Sequence, residues 1–270
     1  MIDKLLEKIV STECNEEKIA VLLSGGVDSL SVAIAAHRLG KKIHAYTFHL
    51  EGKPSYDAEK AKSASDTMGW DCTTVIVPTN NIENDFETLR KQWKCVKKTH
   101  YECTFPFMYI YPKIEEKIVL SGWAADGHYG VSKKACIHFK QPKTLFDQFR
   151  SDYFGQSNPV AIQQQRLLAE HYNKKFVAPY VDDTVMNYFR QYDWFELNKP
   201  YQKHHVVEAY PEFQVMGKPK PHINLQLGAG VDKAFEVLLQ SDKVNFKKRK
   251  RMLDVYRDWK DYAEVRTLFN

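Results

Sequence analysis

The chain has 270 residues, 43% hydrophobic and 27% charged, enough for one large domain or two small ones with a sizeable core. No apolar run approaches the roughly 20 residues of a membrane span, and the amino terminus lacks a secretory core segment, so a cytoplasmic protein is expected. Cys14, Cys72, Cys95, Cys103 and Cys136 are scattered without a C-x-x-C pair, which argues against a disulfide framework and a tetrahedral zinc site; the net charge of +5 suits anionic ligands such as nucleotides.

The first segment reads as a short amphipathic helix with Ile2, Leu5, Leu6 and Ile9 on one face. Ile19–Leu23 is an unbroken apolar run, the mark of a strand covered on both faces. "DSLSVAIAAHRLG" then predicts a helix ending at Gly40. Lys42–Leu50 is a second strand, and "SYDAEKAKSASDTMGW" a second amphipathic helix with Ala58, Ala61 and Ala64 at helical spacing. Cys72–Pro78 is a third strand, "NIENDFETLRKQWK" a further helix, and Lys117–Trp123 a fourth strand that runs into Ser-Gly.

Strand and helix alternate at short spacing. This predicts an α/β, Rossmann-like parallel sheet with helices on both faces over residues 1–140. Residues 141–270 turn mostly helical and are expected to pack on the sheet's carboxyl edge and complete the site. A basic run, Phe246–Arg251, precedes a last helix, "MLDVYRDWKDYAEVRTLF".

In open parallel sheets ligands sit outside the carboxyl ends of the strands. The first strand ends there in "LLSGGVDS". Gly25 and Gly26 permit φ > 0 and carry no Cβ, so successive N–H groups can form an anion nest. The following helix aims its positive end at the same place, and Ser24 and Ser29 add hydroxyls. Together these make a phosphate cradle. A carboxylate, Asp28, conflicts with it unless a shared Mg²⁺ joins the two; otherwise Asp28 is a helix cap.

"SGGVDS" resembles, letter for letter, the S-G-G-x-D-S loop of the ATP-pyrophosphatase (PP-loop) superfamily. The resemblance implies ATP cleaved between its α and β phosphates, giving an adenylated substrate and Mg-pyrophosphate. "VLSGWAADGHYG" is similar to the S-G-x-G-x-D-E-x-F-G-G segment of the asparagine synthase family. Ser121, Gly122, Asp126 and Gly130 fall on its positions, and Asp126 lands on the second Mg-pyrophosphate carboxylate. Tyr129 replaces the family's Phe, while Ala124 and Gly127 stand where the family has Gly and Glu.

"FVAPYVDDTVMNYF" resembles the family's R-x-P-F-L-D segment. "QKHHVVEAYPEF" and "MGKPKPHINLQLGAG" resemble later segments and place Lys203 and Lys220 on lysines that approach the phosphates. The second strand of the superfamily reads adenine, which implies a place for the base at Thr47 and Phe48; Phe48 as plain core is the other reading.

The resemblance spans roughly Ile19 to Gly230 and implies an AMP-forming ligase that uses ATP and Mg²⁺. Its substrate would be a small-molecule carboxylate or amide, joined to ammonia or an amine. Met1 is followed by Ile2 rather than by the family's glutaminase cysteine, so the nitrogen is expected as free ammonia, an amine, or from a separate amidotransferase subunit. No carboxylate falls on the family's catalytic Glu; Glu102 lies near in sequence, either as a base or amine-binding group or as an ordinary surface residue, with the surface reading preferred. Two alternatives are a PP-loop enzyme that modifies a nucleobase or tRNA, motivated by Lys247–Arg251, and a non-catalytic nucleotide-binding homologue, motivated by Ala124 and Gly127.

Overall fold

The computed structural model describes residues 1–131, 142–155, 159, 161–216 and 225–240. In the first half the elements follow the sequence pattern closely. α1 (Ile2–Glu13) buries Ile2, Leu6, Ile9 and Val10, with Leu5 packed at the margin. β1 (Lys18–Leu22) is buried at every residue after Lys18. α2 (Val27–Arg38) stops just before Gly40, whose φ of 74° is the left-handed stop that glycine supplies.

β2 (Lys42–Leu50), α3 (Tyr56–Met68), β3 (Asp71–Val77) and α4 (Ile82–Lys91) follow in turn. The α3 stripe of Ala58, Ala61 and Ala64 is buried, and Ser55 caps that helix through the Ala58 N–H. After α5 (Lys98–Thr104) and α6 (Phe107–Ile110), β4 (Ile118–Ser121) leads into α7 (Ala125–Tyr129).

All strands run parallel, in the order β3-β2-β1-β4, with a fifth, β5 (Lys175–Val177), beyond β4. β5 adds one short strand to a region that the sequence pattern reads as mostly helical. Along β1 the side chains alternate: Ile19 and Val21 enter one core, with α1 and α2, while Ala20 and Leu22 enter the other, with α4 and α5. A sheet covered on both faces needs continuous apolar strands, which is why β1 was legible.

The helical region contributes α8 (Lys143–Phe154), α9 (Ile162–His171), α10 (Asp183–Phe189), α11 (Trp194–Asn198) and α12 (His204–Val207), then α13 (Glu212–Val215), α14 (Leu225–Gly228) and α15 (Val231–Gln240). The expected last helix and the basic run lie outside the described residues. Among the described residues no helix is long and apolar enough to cross a membrane. The strand order reverses between β1 and β4, where connections leave toward opposite edges and open a crevice at their carboxyl ends.

Candidate active site

Both motif loops emerge at that crevice. Gly25 takes φ 68°, and a Cβ on it would stand 2.5 Å from Lys60 Cβ and 2.7 Å from the Lys60 carbonyl carbon of α3. Only glycine fits there. Gly122, after β4, lies against the first turn of α2: a Cβ on it would overlap the Asp28 carbonyl and stand 2.6 Å from Ser29 N. The glycine therefore lets the β4 loop touch the start of α2.

Inside the first loop the serines brace the turn. Ser29 Oγ accepts from Ser24 N–H at 3.2 Å, lies 3.2 Å from Ser24 Oγ, and donates to Gly26 O at 3.2 Å. Ser24 Oγ accepts from Gly26 N–H at 3.3 Å. The first-turn amides of α2, which have no intrahelical acceptor, stay aimed along the helix axis.

Asp28 does not cap its helix; Gly26 is the cap residue, and no side chain bonds the free amides. Its Oδ2 instead accepts from Lys203 Nζ at 2.6 Å, and Asp126 Oδ1 accepts from the same ammonium at 2.8 Å. Three segments far apart in sequence thus converge on one buried cation. Burial pushes the Asp28 carboxyl upward; Lys203 opposes that rise, and the nearby Asp126 charge adds to it. The two carboxylates outweigh burial at Lys203 and hold its ammonium well above the ordinary range.

Lys203 is only 4% exposed and sits in the left-handed region at φ 62°. The Asn198 amide fixes it there: its Oδ1 accepts from Lys203 N–H at 3.1 Å, while its Nδ2 donates to Tyr129 O at 2.8 Å. The same side chain therefore ties the lysine turn to α7, which carries Asp126. The Tyr129 ring lies 5.1 Å from the ammonium.

Beneath them runs a hydroxyl chain. Tyr129 OH donates to Tyr180 OH at 3.1 Å, Tyr180 OH meets Ser31 Oγ at 2.7 Å, and Ser31 Oγ donates to Asp28 O at 3.0 Å. Tyr129 and Tyr180 each stand where the family pattern has Phe, in segments 51 residues apart. The two departures fall on partners in one hydrogen bond. The signal was in the sequence as a matched pair of Phe-to-Tyr changes; Asn198 carried no signal.

The second loop's departures are accommodated locally. Ala124 adopts φ 73°, the left-handed region that glycine favours. Gly127 faces the ring of Tyr153 from α8; any Cβ there would overlap that ring and stand 3.0 Å from Phe154. The space a side chain would use at 127 is filled by aromatic rings.

Phe48 belongs to the core at 9% exposure, edge to face with Phe107 at 6.1 Å, and Phe107 meets Trp123 at 5.7 Å. Glu102 is not the surface residue preferred from sequence: it is 1% exposed and paired with Lys98 at 3.4 Å. Lys220 lies outside the described residues.

The donor set fits Mg²⁺. Two hard carboxylates converge, and Asp28 Oδ1 is buried without accepting a hydrogen bond. Among the described residues no group of three or more His, Cys, Asp or Glu could hold a metal, so phosphate oxygens and water would complete the shell.

The sheet order β3-β2-β1-β4-β5 places the S-G-G-x-D-S turn at its switch point. The asparagine synthase family model matches residues 1–221, and the chain belongs to that family. No curated protein matches it. Three solved structures are similar in fold. A predicted subunit of a tRNA methyltransferase from Methanocaldococcus jannaschii is 14% identical, with 65% of this chain and 76% of that one covered and a TM-score of 0.38. NMN synthetase from Francisella tularensis is 13% identical, with 95% and 92% covered and a TM-score of 0.35. The U34-tRNA thiolase NcsA from Methanococcus maripaludis, solved with its [4Fe-4S] cluster, is 15% identical, with 97% and 77% covered and a TM-score of 0.36.

Proposed function

We propose that the chain is an ATP-dependent, AMP-forming ligase that adenylates a small-molecule carboxylate or amide and joins it to ammonia or an amine. The observation that carries this reading is the convergence of Asp28, Asp126 and Lys203 at the crevice between β1 and β4, beside the glycine turn. The amides of the turn and of the first turn of α2 would hold the pyrophosphate portion of ATP. Asp28 and Asp126 would hold Mg²⁺, which supplies charge neutralisation to the phosphates when bound.

A substrate carboxylate oxygen forms a bond to the α-phosphorus as the bond from that phosphorus to the bridging oxygen breaks, and pyrophosphate leaves with the electron pair. Lys203 would offset the negative charge that builds on the α-phosphate and the leaving group. The amine then displaces AMP from the acyl-adenylate. Its source is free ammonia, an amine, or a separate amidotransferase subunit.

Incubation with ATP labelled at the α-phosphate, Mg²⁺, a panel of carboxylates and ammonia or an amine should release AMP and pyrophosphate. Asp28→Asn should abolish that release and keep the fold. Formation of ADP and phosphate alone, or unchanged turnover in Asp28→Asn, overturns the reading.

A further inference from the structure

Lys203 holds one oxygen of each carboxylate, Asp28 Oδ2 and Asp126 Oδ1, and so occupies the position from which a metal would bridge the pair. We propose that its ammonium bars divalent metal from the Asp28–Asp126 pair until a nucleotide arrives, so that metal enters only with the triphosphate. The proposal rests on the reading of that pair as metal-holding.

The ammonium lies 2.6 Å from Asp28 Oδ2 and 2.8 Å from Asp126 Oδ1. A Mg²⁺ ion sits about 2.0–2.1 Å from its oxygen ligands, so ion and ammonium cannot both lie against those two atoms. At rest the ammonium is also held in place. The residue is buried, its backbone is held in the left-handed region by Asn198, and the Tyr129 ring flanks its head.

Charge points the same way. One ammonium cancels one of the pair's two negative charges, so less attraction is left for a dication. Among the described residues no third carboxylate or imidazole joins the pair to restore that attraction. A triphosphate changes both sides of the balance. It gives the ammonium a new anionic partner, and it brings the oxygens a divalent ion still lacks. Lys203 then moves to phosphate, and the carboxylates pass to the metal.

Mn²⁺ binding to the full chain, read by electron paramagnetic resonance of the free ion, tests this without turnover. Nucleotide-free wild type should bind Mn²⁺ no more tightly than Asp126→Asn. Adding α,β-methylene-ATP should tighten binding at least tenfold. Lys203→Met should gain a nucleotide-free Mn²⁺ site at least tenfold tighter than wild type, and that gain should vanish in Lys203→Met/Asp126→Asn. Should Lys203→Met fail to fold, Lys203→Gln removes the charge and keeps a hydrogen-bond donor.

Nucleotide-free wild type binding one Mn²⁺ that Asp126→Asn abolishes would overturn the proposal. So would a Lys203 variant with no gain, or no effect of the nucleotide analogue. If the Lys203 variant gains Mn²⁺ but wild type releases no pyrophosphate, the gate stands and the ligase reading falls. If wild type releases pyrophosphate and also binds nucleotide-free Mn²⁺ at the pair, the gate falls and the ligase reading stands.

Discussion

Gly122→Ala isolates the contact that joins the two motif loops. A Cβ there would overlap the Asp28 carbonyl and stand 2.6 Å from Ser29 N, whereas ordinary contact begins at 3.4 Å. The neighbours are backbone of α2's first turn, not the tip of a flexible side chain. Relief requires β4 and α2 to part by about 1 Å in a close-packed region. Overpacking of this kind costs about 1–3 kcal/mol, and a chain of this size loses roughly 2–4 °C of Tm for each kcal/mol. The catalytic effect should be larger. A misplacement of about 1 Å at a reacting centre costs roughly 10²-fold in rate, and this one separates Asp28 from Asp126. Differential scanning fluorimetry gives the first quantity and pyrophosphate release the second. Gly40→Ala is the control: it also has positive φ, at 74°, but nothing lies within 4 Å of its Cβ, so it should lose about 1 kcal/mol and no turnover. Wild-type Tm and turnover in Gly122→Ala would refute the contact.

Ala124→Gly should stabilise the chain by about 1 kcal/mol in urea titrations, because it relieves a left-handed alanine at φ 73°. Tyr180→Phe removes the middle of the hydroxyl chain and should cost about 1–3 kcal/mol, while Tyr129→Phe/Tyr180→Phe should cost less than the two single changes added, since both buried partners become apolar. Glu116, 2% exposed at the amino-terminal edge of the sheet, would be raised by burial, but hydrogen bonds from its own backbone N–H, Lys18, His44 and Tyr46 prevail and hold it below the usual carboxylate range. A depressed carboxyl stabilises above its unfolded pKa, about 4.3, and loses that contribution as pH falls through the folded value. Glu116→Gln should therefore cost about 1–3 kcal/mol at pH 7 and progressively less below about pH 4, by urea titration across pH. Equal costs at both pH values would refute the assignment.

The sheet was legible because a strand buried on both faces is mostly apolar, as Ile19–Leu22 of β1 and Ile118–Leu120 of β4 are. β5 was not: three residues, Lys175–Val177, carry no periodicity, and their strand character comes from pairing with β4. The glycine turn was legible because its chemistry is local. Lys203 could be singled out only by its order along a family pattern. What holds it, Asn198, could not be read, since an amide bonding a backbone N–H five residues on and a carbonyl 69 residues back leaves no local trace. Glu102 failed for the opposite reason. Its neighbours in "KTHYECT" look like surface, and it is tertiary packing of α5 against other helices, α4, α9 and α15 among them, that buries it.

Ala124 and Gly127 were the grounds for reading the chain as a nucleotide-binding homologue without catalysis. Their surroundings weigh against that reading. Ala124 takes the left-handed conformation that glycine favours, and α7 starts where Asp126 can reach the cation. At position 127 the rings of Tyr153 and Phe154 occupy the space, so the loop loses a carboxylate without losing its support. A site drifting without selection for chemistry has no reason to keep Asp28, Asp126 and a buried Lys203 within hydrogen-bond distance, because an uncompensated buried charge is costly and an apolar trio would be cheaper. The departures alter the wall contributed by α8 and leave the ion cluster whole. That is where a change of acceptor substrate, rather than a loss of ATP chemistry, would be written.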